Sequence, residues 1–432
     1  MVIGMAVGIT GMGMCMAVNA AATAEDEVVK KTKDVGLQYM MELGLRPAKT
    51  PEQFYSMLQE KCGKEQMDAI RKYIRARGDV AESGEKCDNA AFYKLKNSSL
   101  GLSLAVSGGF DGEFIRKVCN LIASKADKYR NCARILEVGC DCGILSCFLG
   151  RTFPATQIVS IDRCGDSIAV AKELAQRLGI SNVTFLQADI HDYPEEKYDA
   201  IFSIRVMHEN RFLGEKEDHT LLMDTQAEMF AAATAEYAEV LSNKLVDNGL
   251  LLSIERSGLN PALYGWMLAL NNHGIIAQEY ERLFCQEIGE EAGFQALDMQ
   301  KANSILEREK IRNQFAMCFF GDNGELTEAD YGGWEASIVL QLFHGDLLDG
   351  AFAYVDGQKA GKIAVWKSAA CESDILIEQH SVRADIHVLG IRDMAMLEEI
   401  MEQVSNEKRT MEREWRATLK PFNVEDGKEV EI

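Results

Sequence analysis

Between Arg134 and Glu255, short apolar runs alternate with longer stretches whose apolar residues recur every three or four positions, and few folds accommodate that alternation. Arg134–Gly139, Gln157–Asp162, Val183–Ala188, Tyr198–Ile204 and Leu250–Glu255 read as strands, rich enough in Ile, Val, Leu and Phe to be covered on both faces. Ser167–Leu178 and Met229–Val246 read as the crossover helices that cover them. Such a βαβαβ succession predicts an α/β core with a doubly wound parallel sheet.

The flanks read differently. Residues 25–125 predict a helical cap, in which Thr50-Pro51-Glu52 opens a run carrying Phe54, Leu58 and Cys62 at helical spacing, with Thr as N-cap and Pro at N1. Gly101, Gly108, Gly109 and Gly112 read as a link into a helix over Phe114–Lys125. Beyond residue 300 the chain predicts a β-rich α+β extension, with strands at Ser337–Phe343, Ala351–Val355 and Lys362–Trp366 and a turn at Asp356-Gly357. Asp393–Leu419 follows as an amphipathic helix through Leu397, Ile400, Met401, Val404, Met411 and Trp415, a stripe suited to core packing or to a homodimer contact. The resulting division is 1–24, 25–125, 126–300 and 301–432.

Met1–Ala24 carries no charged side chain and ends in Ala22-Thr23-Ala24, which imitates a secretory cleavage site without the basic n-region. Thr10, Asn19 and four glycines interrupt it, so it reads as a leader rather than a membrane span, and the expectation is a cytoplasmic chain. The 46 Lys and Arg against 67 Asp and Glu leave a net charge of −21, which disfavours DNA or RNA as partner. Twelve cysteines form neither a disulfide framework nor a paired zinc pattern, and no metal is expected.

Chemistry concentrates between Ala133 and Glu209. A strand delivers Glu137, a tight loop follows with Gly139 and Gly143, and a helix starts at Ile144, so backbone can approach a ligand closely. The next strand ends at Asp162, where a carboxylate can take both hydrogen bonds of a ribose diol, and the third runs into Asp189. A dinucleotide fingerprint starting at Gly139 fails, because Asp141 and Ile144 stand at its second and third glycines. A pyrophosphate would also meet the Asp141 carboxylate. A phosphate-free ligand with a cationic sulfonium suits Glu137, Asp141, Asp162 and Asp189 far better.

On these residues the chain resembles the class I, Rossmann-like S-adenosylmethionine-dependent methyltransferases, whose loop follows an acid-x-G-x-G-x-G pattern and here stands as Glu137-Val138-Gly139-Cys140-Asp141-Cys142-Gly143. Asp141 replaces the middle glycine. The resemblance spans roughly residues 114 to 300. It implies S-adenosylmethionine as cofactor, with Gly139 and Gly143 flanking the methionine moiety, Asp162 on the ribose and Asp189 with Ile190 on the adenine; Arg163 and Ile204 border the same site. It also implies that the end of the fourth strand faces the acceptor.

Methyl transfer is an in-line displacement at carbon, so alignment matters most and a base is needed only when the acceptor must lose a proton. His208 is the candidate base, with Glu209 orienting it or replacing it. Arg205 and Arg211 lie where an acceptor carboxylate or phosphate could bind, unless they pair with surface acids. No Asp or Asn followed by Pro-Pro and an aromatic stands after the fourth strand, which lowers nucleobase and amide methylation. The expected function is methyl transfer to a small molecule, a protein acceptor being second. The alternative is a non-catalytic scaffold or cofactor sensor that retains the fold.

Overall fold

The computed structural model describes residues 34–83, 89–209, 222–320, 330–369, 374–380, 384–390, 394–425 and 428–432. The leader at 1–24 and Arg211 lie outside them.

The predicted strands form as β1 (Arg134–Val138), β2 (Gln157–Asp162), β3 (Val183–Gln187), β4 (Tyr198–Ile204) and β5 (Leu245–Arg256). All neighbouring pairs among them are parallel, and Asp162 stands opposite Gln187 at the carboxyl edge. Two strands that the alternation did not predict, β6 (Ile275–Gln286) and β7 (Glu291–Lys301), form a hairpin whose second arm pairs antiparallel with β5. β6 is an edge strand studded with Glu279, Glu281 and Arg282, so it lacks the apolar run that marks the buried strands. The order is β3-β2-β1-β4-β5-β7-β6. Chain direction reverses its spread between β1 and β4, the place in such sheets where ligands bind outside the strand ends.

The N-terminal helices are α1 (Val35–Leu43), α2 (Pro51–Cys62), α3 (Lys64–Ser83), α4 (Asn89–Lys96) and α5 (Leu100–Ser124), followed by the single turn α6 (Ala126–Tyr129). The Thr50 side chain caps α2 by accepting from the Gln53 amide at 3.2 Å, as its sequence predicts. The glycine-punctuated link is not a link. Gly101, Gly108, Gly109 and Gly112 all lie inside the continuous helix α5. Close packing explains three of them: a Cβ at Gly109 would stand 2.5 Å from the Phe54 ring, and those at Gly108 and Gly112 would press on Leu45 and on Met40 and Pro47. The row is a groove into which the cap settles.

Helices α7 (Ile144–Thr152) and α8 (Gly165–Leu178), with α1 and α5, bury one face of the first sheet. Helices α9 (Met223–Lys244) and α10 (Pro261–Asn272) bury the other. Beyond them come α11 (Arg308–Met317) and α12 (Gly333–Phe343). The latter corrects the strand expected at Ser337–Phe343. Its apolar run carries no period-2 signal, and Ile338, Val339 and Phe343 point together into the core as a helix allows.

The C-terminal part is a second, wholly antiparallel sheet of β8 (Asp330–Gly332), β9 (His344–Val355), β10 (Gln358–Ser368), β11 (Asp374–His380), β12 (Ala384–Gly390), β13 (Thr418–Glu425) and β14 (Lys428–Glu431). Its order is β14-β13-β9-β10-β11-β12-β8. Asp356 and Gly357 form the expected two-residue turn, both with positive φ, at 51° and 78°. Helix α13 (Met394–Glu414) ends before the predicted Leu419, because Arg416 turns left-handed and the chain enters β13. Its stripe packs Val404 and Met411 against Ala351, Ala353, Ile363 and Val365 of its own sheet. On the opposite face of that sheet, Phe352, Trp366 and Phe422 join the cluster that holds α9, α10 and α11. The core therefore runs across residue 300, where composition suggested a division.

Candidate cofactor and methyl-transfer site

β1 carries the chain to Gly139 and Gly143, which adopt φ of 74° and 77°. Both positions are also sterically closed: a Cβ would stand 2.6 Å from the Val206 methyl at Gly139 and 2.7 Å from the Ala171 Cβ at Gly143. Glycine is thus required twice over, by backbone conformation and by contact. Between them Asp141 takes φ 46°, a left-handed geometry that Asp tolerates better than most residues. Its amide donates to Asp162 Oδ2 at 2.9 Å, and the Cys164 amide donates to Asp162 Oδ1 at 2.8 Å. Burial nevertheless raises the Asp162 carboxyl above its ordinary range, against these two bonds. Each oxygen keeps a lone pair for a ribose hydroxyl.

Asp141 is not the free charge that its place in the loop suggests. Lys96 Nζ, from the end of α4, binds Asp141 Oδ2, and Asn97 Nδ2 donates to Oδ1 at 2.8 Å. Against the cost of burial, the Lys96 ammonium holds the Asp141 carboxyl below its ordinary value. Asn97 also donates to Ser167 Oγ at 2.7 Å and accepts from Ser103, which ties cap, loop and α8 together. Tyr39 of α1 adds a bond from its hydroxyl to the Ile144 carbonyl at 2.8 Å.

Glu137 lies beneath the loop rather than in its mouth, buried and accepting from Ser160 Oγ at 2.8 Å. Ile190 and Ile204 are buried in the core clusters on opposite faces of the sheet. Asp189 accepts from the His191 amide at 3.0 Å, and Arg163 reaches from Glu209 at 2.8 Å towards Asp189 at 3.9 Å. Glu209 also accepts from the Tyr93 hydroxyl at 3.5 Å, so it is engaged away from His208. Arg205, at φ 61°, pairs with Asp111 of α5 and lies over the rings of Phe114 and Phe294 at 5.4 and 5.7 Å. Its guanidinium is consumed by the fold, as an arginine paired with acids is. Burial pushes the thiols of Cys142 and Cys147 up to about 12, which suits packing and not metal ligation.

His208 is 44% exposed and sits with Nδ1 3.6 Å from Glu255 Oε2. Glu255, at the end of β5, is buried, and its Oε1 accepts from the amides of Val206 at 3.1 Å and Met207 at 2.9 Å. The carboxylate facing His208 is therefore Glu255, which sequence reading placed only as a strand end. Lys96 and Asn97 were likewise missed. An acid in the middle of a glycine loop was the available signal, because a buried carboxylate needs a cation or donors nearby.

A parallel sheet with a switch point between β1 and β4, a left-handed glycine loop at the end of β1 and an acid at the end of β2 form the arrangement expected of a Rossmann-like methyltransferase domain. In keeping with this, residues 129–230 match the family model of a methyltransferase domain. A stretch of 71 residues, 16% of this chain, is 44% identical to malonyl-[acyl-carrier protein] O-methyltransferase 1 of Ilyobacter polytropus, and 87 residues, 19% of the chain, are 36% identical to malonyl-[acyl-carrier protein] O-methyltransferase of Bacillus cereus. The chain spans 25% and 31% of the length of these two relatives. Among solved structures, magnesium protoporphyrin IX methyltransferase of Synechocystis is 12% identical with a TM-score of 0.34, over 50% of this chain and 99% of that one.

Proposed function

We propose that the chain transfers a methyl group from S-adenosylmethionine to a small molecule, with an oxygen as the accepting atom. The observation that carries the reading is the partly buried Asp162 carboxylate, fixed by two backbone amides beside a glycine loop that excludes any side chain at 139 and 143. Two relatives named as O-methyltransferases support oxygen. The acidic chain and the helical cap over the loop support a small acceptor in preference to a protein or nucleic acid.

The cofactor supplies an electrophilic methyl on a cationic sulfur. The protein holds the ribose through Asp162, shapes the loop with Gly139 and Gly143, and aligns the acceptor for in-line attack. His208 accepts the acceptor's proton on the ring nitrogen remote from Glu255, while the Glu255 carboxylate, 3.6 Å from Nδ1, stabilises the imidazolium that results. The acceptor lone pair becomes the new bond to carbon, and the carbon–sulfur pair stays on sulfur. The scaffold alternative rests on Asp141 and on the long extensions; the pairing of that carboxylate with Lys96 answers the first of these.

Calorimetric titration with S-adenosylmethionine, S-adenosylhomocysteine and NAD tests the reading. Wild type should bind both sulfur ligands and not NAD, and Asp162→Ala should lose at least tenfold in affinity, about the worth of one charge-assisted hydrogen bond. His208→Ala should bind as wild type does and lose transfer by 10²-fold or more in kcat, the usual contribution of a positioned base. A wild type that binds neither sulfur ligand sinks the proposal.

A further inference from the structure

The turn between β6 and β7, residues 287–290, sits against the cap: the Gln286 amide donates to Glu113 of α5 at 2.6 Å, and Ile288 packs on the cluster that holds Phe54 and Phe110. Glu287 opens the turn and is 9% exposed. Its Oε2 meets the Arg256 guanidinium at 2.8 Å, while Oε1 is buried with no hydrogen-bond partner among the described residues. Burial raises its carboxyl above the ordinary value, against the charges of Arg256 and of Arg205. Arg205 stands three residues before His208, so the turn borders the acceptor side of the site. Ser257 Oγ, just past the end of β5, is another buried oxygen without a partner there.

Orphaned oxygens of a carboxylate and a hydroxyl define what is missing beside them, a group that donates. Charge narrows the choice. Arg205 pairs with Asp111, and Arg256 with both Glu287 and Glu290, so two guanidiniums face three carboxylates and one negative charge is left over. Away from water, that balance favours a cation over a neutral donor and penalises an anion. Resting on the methyl-transfer reading above, we propose that Glu287 selects the acceptor: its free Oε1 accepts a hydrogen bond from an ammonium on the small molecule whose oxygen is methylated. The acceptor is then an amine-bearing alcohol or phenol, held by Glu287 at one end while His208 takes the proton at the other.

Tyramine, tyrosol and 4-hydroxyphenylacetate present one phenol with an ammonium, a neutral hydroxyl or a carboxylate at the far end. Each is titrated calorimetrically into the full chain saturated with S-adenosylhomocysteine, and into Glu287→Gln and Glu290→Gln, with thermal melting to check the fold. Wild type should bind tyramine tenfold or more tighter than tyrosol, with 4-hydroxyphenylacetate the weakest. Glu287→Gln should bring tyramine and tyrosol within about threefold of each other. Glu290→Gln, which removes an equal charge from the same arginine, should keep the preference. A folded Glu287→Gln that retains it overturns the proposal, and so does an equal loss in Glu290→Gln, which would reduce the effect to the general field. A wild type that holds S-adenosylhomocysteine yet binds none of the three, or does not favour tyramine, overturns it while the cofactor reading stands. A wild type that fails to bind S-adenosylhomocysteine removes both.

Discussion

Burial pushes the carboxyl of Glu137 up to about 7, against the softening effect of its serine hydrogen bonds, whereas the unfolded chain releases that proton near 4.5. Between those values the native state holds a proton that the unfolded state has lost, so stability falls as pH rises through the window. The shift corresponds to roughly 3 kcal/mol once the pH is above both values. Urea unfolding at pH 5 and pH 8 should therefore show wild type losing about 2.5 kcal/mol more than Glu137→Gln over the same interval. Parallel losses would mean that Glu137 titrates as an ordinary carboxylate. At this scale the sequence was legible wherever function is local. Gly139, Gly143 and Asp162 sit at strand ends whose spacing announces them. Lys96 and Glu255 were not legible, because each meets its partner across 45 or more residues and no periodicity encodes that encounter.

The helix α5 shows how one residue type carries opposite meanings. Glycines commonly break helices, yet the middle of this one holds three that admit the rings and backbone of α1, α2 and the segment between them. Gly109→Ala should destabilise the protein by about 1–2 kcal/mol, overpacking against Phe54 outweighing the better helix propensity of alanine. Gly101 faces open space, so Gly101→Ala is the control and should be neutral or stabilising by up to about 1 kcal/mol. Thermal melts of the two variants check the contrast, and equal shifts would contradict it. Composition gives the presence of these glycines but not their role, which depends on what packs from outside the helix. The helix α12, expected as a strand, has the same origin: a short, mostly apolar run fits either element until its neighbours are known.

At the scale of the whole molecule, one cluster of buried side chains runs from Leu136 of the first sheet through Trp266 and Phe315 to Trp366 and Phe422 of the second. A chain so joined should unfold as a unit: calorimetry should give a single endotherm whose calorimetric and van't Hoff enthalpies agree. Two resolved transitions would show that the sheets fold separately. The doubly wound core was readable because its strands and crossover helices follow one another along the chain. The union of core and extension was not, since it is made by side chains from separate elements whose meeting no local periodicity encodes.

That union also limits how such a chain can be recombined. A breakpoint near residue 300, natural as it looks in the sequence, would strip Phe319, Phe343 and Trp366 from one fragment and leave α9 and α10 facing water in the other. Neither half is a cassette. The C-terminal sheet is inherited with its methyltransferase domain, and a substitution on either side of the shared core is a constraint on the other.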